Sequence, residues 1–219
     1  MKREIIRTAD GSKTIYLPEM DEHYHSVNGA IDESMHVFIE AGYQFCKNNP
    51  VSVFEVGFGT GLNAMLTAME AEISRRHTIY SAIEKYPLPH DITDQLNYTD
   101  PYGRESAEIF SKIHSSEWGL SVKITEYFTL QKIEGDLLKD EIDCRANIVY
   151  YDAFAHSKQP EMWQYDVLGK ACNTLEKGGI FVTYSARGEL KRNLLSLGFQ
   201  VTRLPGASGK REMIRAIKL

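Results

Sequence analysis

A chain of 219 residues, 42% hydrophobic and 25% charged, has the make-up of an ordinary soluble globule and length enough for one α/β core. Its net charge of -5 excludes attachment to nucleic acid through bulk charge. No apolar run approaches bilayer length, the start Met1-Lys2-Arg3-Glu4 leads into no signal-peptide core, and Cys46, Cys144 and Cys172 form neither a disulfide framework nor a zinc motif; a cytoplasmic protein with no membrane partner is expected.

In chain order, the first thirty residues read as extended, with Asp10-Gly11 as a hairpin turn. Asp32 or Ser34 is expected to cap a helix carrying Met35, Val37, Phe38, Ala41 and Phe45, stopped by Asn48-Asn49-Pro50. This hairpin and helix, residues 1–48, form an extension to a domain over 49–219, within one compact unit. A buried strand over 51–56, a glycine turn over 57–61, a helix over 62–76 and a strand over 77–83 follow. Residues 87–118 read as mostly helical, broken at Asp100-Pro101, and 120–135 as one or two strands. A fully apolar strand spans 147–151. A helix over 162–175 is expected to stop at Lys177-Gly178-Gly179. A strand over 180–184, a short basic helix ending at Gly198 and two antiparallel strands, 199–204 and 211–217, complete the pattern.

Apolar strands alternating with amphipathic helices predict a doubly wound α/β sandwich. Its seven-stranded sheet is mixed and mostly parallel, and closes on a C-terminal antiparallel pair. Ligands of such sheets sit beyond the C-terminal strand ends at the switch point. The first strand of the repeat delivers Glu55-Val56-Gly57-Phe58-Gly59-Thr60-Gly61-Leu62-Asn63 there. The G-x-G-x-G spacing, with Glu55 two residues before the first glycine, differs from the dinucleotide G-x-G-x-x-G. It resembles the first motif of the class I S-adenosylmethionine-dependent methyltransferases. That resemblance implies a Rossmann-like fold and S-adenosyl-L-methionine as cofactor, leaving as S-adenosylhomocysteine. Glu55 then lies near the methionine end, Glu84 at the end of the second strand takes the ribose hydroxyls, and Asp136 lies near the adenine.

Four segments narrow the resemblance. They are Ser26 to Ser34, Gly57 to Asn63, Asp152-Ala153-Phe154-Ala155 with Lys158-Gln159-Pro160-Glu161-Met162-Trp163, and Gly209 to Met213. Together they resemble the methyltransferase domain of the bacterial tRNA 5-methylaminomethyl-2-thiouridine biosynthesis protein, from about Tyr24 onward. Ala155-His156-Ser157 departs from that family's usual Ala-Pro before the lysine. The resemblance implies a stand-alone enzyme that N-methylates the aminomethyl group of 5-aminomethyl-(2-thio)uridine at the wobble position of tRNA. Another enzyme would supply the aminomethyl precursor.

For that reaction Asp152, after the apolar strand, would orient the amine and accept its proton. Cofactor contacts are expected from Glu55, Gly57, Phe58, Gly59, Thr60, Gly61, Asn63, Glu84, Asp136 and Asp152. An anticodon-loop base splayed from its stack needs aromatic walls and phosphate anchors. Tyr24, Phe154 and Trp163, with Tyr16, are candidates for the walls; Lys158, Lys210 and Arg211 for the anchors. From Arg187 onward eight basic residues stand against Glu189 and Glu212, a net +6 that suits a polyanion or is an ordinary solvated face. His23 and His25 flank Tyr24 with no third ligand, so no metal is expected. The alternative is a methyltransferase acting on a small-molecule or protein amine.

Overall fold

The structure, a computed structural model, describes residues 2–207 and 209–219. The N-terminal segment forms a small antiparallel sheet of β1 (Glu4–Arg7), β2 (Lys13–Leu17) and β3 (Glu22–His23), in the order β1-β2-β3. Asp10 closes the hairpin, its Oδ1 accepting from Ser12 N–H at 2.9 Å. Its Oδ2 accepts from the N–H groups of Ile31 and Asp32 at 3.1 and 3.2 Å. The first helix therefore begins earlier than Asp32 or Ser34 would set it. α1 (Ala30–Ser34) follows Gly29, and its exposed N–H groups are capped from across the hairpin. It continues as a π-helical stretch, Met35–Tyr43, that buries Val37, Phe38, Ile39, Ala41 and Tyr43.

The main sheet has eight strands in the order β10-β11-β9-β8-β4-β5-β7-β6. β4 (Val51–Val56), β5 (Thr78–Glu84), β7 (Phe128–Glu134), β8 (Ala146–Tyr151) and β9 (Leu175–Thr183) are mutually parallel. β11 (Glu212–Lys218) pairs antiparallel with both β9 and β10 (Phe199–Pro205). The expected seven strands are present. The eighth, β6 (Ser121–Lys123), adds three residues antiparallel to β7 at the edge.

Helices cover both faces. The π-helical stretch, α2 (Leu62–Ser74) and α4 (Arg104–Ser115) share one apolar cluster with residues such as Val53, Tyr80 and Tyr150. On the other face α5 (Tyr165–Asn173) and α6 (Gly188–Ser196) pack on Phe54, Val149 and Phe181. Between Pro87 and Trp118 only α4 and a four-residue turn, α3 (His90–Thr93), are helical.

The helix expected over 162–175 is two pieces. A 3-10 turn, Pro160–Trp163, is separated from α5 by an extended Gln164. The glycine stop also differs: α5 ends at Asn173, and Lys177-Gly178-Gly179 lies inside β9, where the register to β8 shifts. Lys218, on β11, supplies the missing cap by donating Nζ to the carbonyls of Cys172 and Leu175 at 3.0 and 2.8 Å. No described helix is long and apolar enough to cross a membrane.

Candidate active site

β4 and β8 are adjacent, and the register pairs Val56 with Tyr151. The chain leaving each strand therefore arrives at one spot: the glycine turn after Val56 and Asp152 after Tyr151. Asp152 N–H donates to Val56 O at 3.0 Å. Gly57 sits at φ +89°, and a Cβ there would come within 2.8 Å of Asp152 O. Only glycine allows both that conformation and that approach.

A cleft opens at this end of the sheet, enclosing about 920 Å³ of empty space, part of it open to solvent. Its floor is the turn from Val56 to Thr60, with Leu62 and Asn63 from the start of α2. One wall is Ile83, Glu84, Lys85 and Tyr86 with the segment Gly135–138. The opposite wall is Asp152, Ala153 and Phe154, and Tyr24 and His25 close over it from the N-terminal segment.

Asn63 ties the acids together. Its Nδ2 donates to Glu55 Oε1 and to Asp152 Oδ2, each at 2.9 Å. One amide group thus spends its two hydrogens on two carboxyl groups. Glu55 is 1% exposed, and its other oxygen has no partner among the described residues. Burial pushes the Glu55 carboxyl well up, Asn63 opposing. It lies beneath the cleft, held by Asn63. Asp152 faces the cleft but is enclosed enough that burial, helped by the nearby Glu33 carboxylate, pushes its carboxyl up to about 7. The Asn63 hydrogen bond and the Lys210 charge pull the other way.

Glu84 Oε2 accepts from Gly59 N–H at 2.9 Å and Oε1 from Tyr86 N–H at 2.8 Å. The acid after β5 thereby fixes the glycine turn and keeps lone pairs on both oxygens. Asp136 lines the same cleft, 3.0 Å from Lys85 Nζ. Burial works against its ionisation, but the Lys85 hydrogen bond and the Leu138 N–H hold its carboxyl below the usual range. Phe58 lines the floor and packs edge-on against Trp118 with ring centroids 5.7 Å apart. Gly61 starts α2 under His114 and does not line the cleft.

Of the aromatic candidates, Tyr24 and Phe154 meet edge to face, centroids 5.1 Å apart, inside the cleft. The Tyr24 ring lies over Gly59, where a Cβ would stand 3.3 Å from it. Burial, with the Glu84 carboxylate nearby, pushes the Tyr24 hydroxyl up to about 12. Trp163 is a correction. It is 2% exposed, part of the apolar core, and donates Nε1 to Phe154 O at 2.9 Å. From the end of the 3-10 turn it holds the Asp152–Phe154 loop from the core side. Tyr16 stacks on His23 and donates to Asp21, away from the cleft lining.

The basic candidates separate. Lys158 reaches Asp21 at 3.4 Å, bridging its loop to the N-terminal sheet. Lys210 pairs with buried Glu33 and lies 3.9 Å from the centre of the Tyr184 ring. Arg211 is exposed. Within the +6 tail, Arg203 pairs with Glu212 at 3.2 Å, Arg215 covers the Phe45 ring, and Lys218 caps α5.

Sequence reasoning missed Glu33, His25, Lys85, Tyr86, Leu137 and Met162. The hydrophobic ones carry no signal beyond periodicity, and Glu33 reads as a helix-surface acid until Lys210 is placed beside it. Among the described residues no cluster of three or more His, Cys, Asp or Glu is arranged to hold a metal ion.

Comparison with known proteins bears on the fold and the family. The bifunctional tRNA 5-methylaminomethyl-2-thiouridine biosynthesis protein MnmC of Campylobacter hominis is 32% identical over 201 residues, which are 89% of this chain and 30% of the relative. Its counterpart in Leptospira borgpetersenii serovar Hardjo-bovis is 31% identical over 210 residues, 89% of this chain and 32% of the relative. The chain thus spans about a third of the length of these curated relatives. The crystal structure of MNMC2 from Aquifex aeolicus superposes with a TM-score of 0.80 at 27% identity, covering 99% of this chain and 70% of that one. Residues 107–219, just over half of the chain, match a family described as S-adenosyl-L-methionine-dependent methyltransferase, and the chain belongs to that family.

Proposed function

We propose that this enzyme N-methylates the aminomethyl group of 5-aminomethyl-(2-thio)uridine at the wobble position of tRNA, giving 5-methylaminomethyl-(2-thio)uridine. On this reading it works in the cytoplasm on the anticodon loop and takes its substrate from an enzyme that generates the primary amine. The observation that carries the reading is Asp152, set at the end of β8 beside the glycine turn and held in aim by Asn63. The names of the relatives supply the substrate.

The residues fit the cofactor on their own terms. Around the glycine turn, Thr60 Oγ1, Asn63 Oδ1 and Glu55 Oε2 are buried with no partner among the described residues. Such groups cost free energy unless a ligand or water satisfies them. Glu84 and Asp136 sit at the ends of the next two parallel strands, along one wall of the same cleft. S-adenosylmethionine, when bound, supplies a methyl group on a positively charged sulfur.

The acceptor must arrive as a neutral amine, since an ammonium has no lone pair. An ordinary aspartate is too weak a base to take its proton at neutral pH. Asp152, raised to about 7, is a better match in proton affinity. Asn63 leaves Asp152 Oδ1 free to accept from the amine and turn its lone pair toward the donor. Tyr24 and Phe154 offer flat apolar walls for a splayed base. Lys158, Lys210 and Arg211 are the cations we assign to phosphate contacts, with Lys210 already beside Glu33.

The engagement of Arg203, Arg215 and Lys218 in local contacts favours a second reading, methyl transfer to a small-molecule or protein amine. The two separate in one assay: labelled methyl transfer to tRNA from cells lacking this protein, with nucleosides resolved by mass spectrometry. Methylaminomethyl-uridine at the wobble position is the expected product. Tight cofactor binding without transfer to that tRNA would replace this reading with the second.

A further inference from the structure

His25 lines the cleft and plays no part in the reaction as described above. Its ring is fixed from behind. Thr14, 0% exposed, places Oγ1 3.1 Å from His25 Nδ1 and also accepts the His25 backbone N–H at 3.1 Å. A hydroxyl has one hydrogen to give, and among the described residues its only acceptor here is Nδ1. The buried Tyr98 hydroxyl stands 3.5 Å from the same nitrogen. With Thr14 donating, Nδ1 is the ring's lone-pair side, and in a neutral imidazole the proton then sits on Nε2, the assignment tested below. Burial pushes the His25 pKa down to about 4, so the ring is neutral at neutral pH.

Two other donors line the same cleft. Thr60 is 1% exposed, and its Oγ1 has no partner among the described residues. α2, thirteen residues long, begins at Gly61 with no side-chain cap, and Leu62 and Asn63 of its first turn line the cleft. Free N–H groups and the helix dipole favour negative charge there. Against these donors the glycine turn sets the two acids joined by Asn63, Glu55 and Asp152. Donors beside acids match a zwitterion, an ammonium and a carboxylate on one carbon.

We propose that His25 Nε2, Thr60 Oγ1 and the N-terminus of α2 form the subsite for the α-carboxylate of S-adenosylmethionine, with His25 a neutral donor whose tautomer is set by Thr14. This rests on the methyltransferase assignment of the cleft and not on the identity of the acceptor, so failure to methylate tRNA would leave it standing.

The test is calorimetric binding of S-adenosylmethionine and of its decarboxylated form to the wild type, His25→Phe and His25→Gln. A hydrogen bond to a carboxylate predicts that His25→Phe weakens S-adenosylmethionine about tenfold or more and leaves the decarboxylated ligand within about twofold. His25→Gln, which keeps an N–H of similar reach, restores much of the loss and serves where the phenylalanine variant does not fold. Two-bond 15N–1H correlation spectra of the wild type should place the ring proton on Nε2. A proton on Nδ1, equal losses for both ligands, or unchanged affinity for S-adenosylmethionine would each overturn the proposal. Unchanged cofactor affinity with a raised KM for the acceptor would overturn it as well, moving His25 to the acceptor side.

Discussion

Asp152 and Asn63 show what a single residue can reveal from sequence and what it cannot. Asp152 stands out because it follows an apolar strand. Its raised proton affinity comes from burial and from the carboxylate of Glu33, far along the chain, against the opposing pull of Asn63 and Lys210. Asn63 reads in sequence as a cofactor contact; its link between two carboxyl groups appears only once β4 and β8 are paired. The ionised form of Asp152 is the one that takes a proton, so kcat/KM should rise with pH through about 7. Asp152→Asn should flatten that limb and lower the rate by about a hundred- to ten-thousand-fold. Stability should move the other way. A carboxyl whose folded pKa is raised stabilises below its unfolded pKa of about 4, and that stability is lost as pH rises through about 7. The asparagine variant, with no charge to bury, should therefore have the higher urea midpoint above neutral pH.

At the scale of elements, the strands and the glycine turn are legible because burial on both faces leaves long apolar runs. Helix ends are less so. Asp10 caps α1 and Lys218 caps α5, from 21 and 46 residues away. Neither partner can be identified without the tertiary structure, and Lys177-Gly178-Gly179 looks like a local stop in its absence. The turn from β4 to α2 is the element on which the cleft depends. Gly57→Ala must hold a side chain at φ +89° and push against Asp152 O. The expected outcome is loss of the thermal upshift that S-adenosylmethionine gives the wild type, with the far-ultraviolet circular dichroism of the fold retained. A wild-type upshift would mean that the loop relaxes and that the close approach is dispensable.

The molecule as a whole carries -5, and Arg203, Arg215 and Lys218 of its basic tail are engaged in local contacts. The tail's sum is legible in the sequence; which of its cations are engaged is not, because their partners, such as Phe45 and Cys172, lie far along the chain. If Lys158, Lys210 and Arg211 are the phosphate contacts, log affinity for an anticodon-loop RNA should fall with log salt at a slope of about -2, at roughly -0.7 per phosphate. All eight tail cations acting together would give about -6 instead. Fluorescence anisotropy across a salt series measures this directly. The cleft has another property at this scale. Its lining runs from Tyr24 to Met162, so residues near both ends of that span must be present before the cofactor has a complete site. During synthesis, then, the first wall to leave the ribosome waits for the last, and the nascent chain passes through most of its length without the stabilisation that its own ligand later provides.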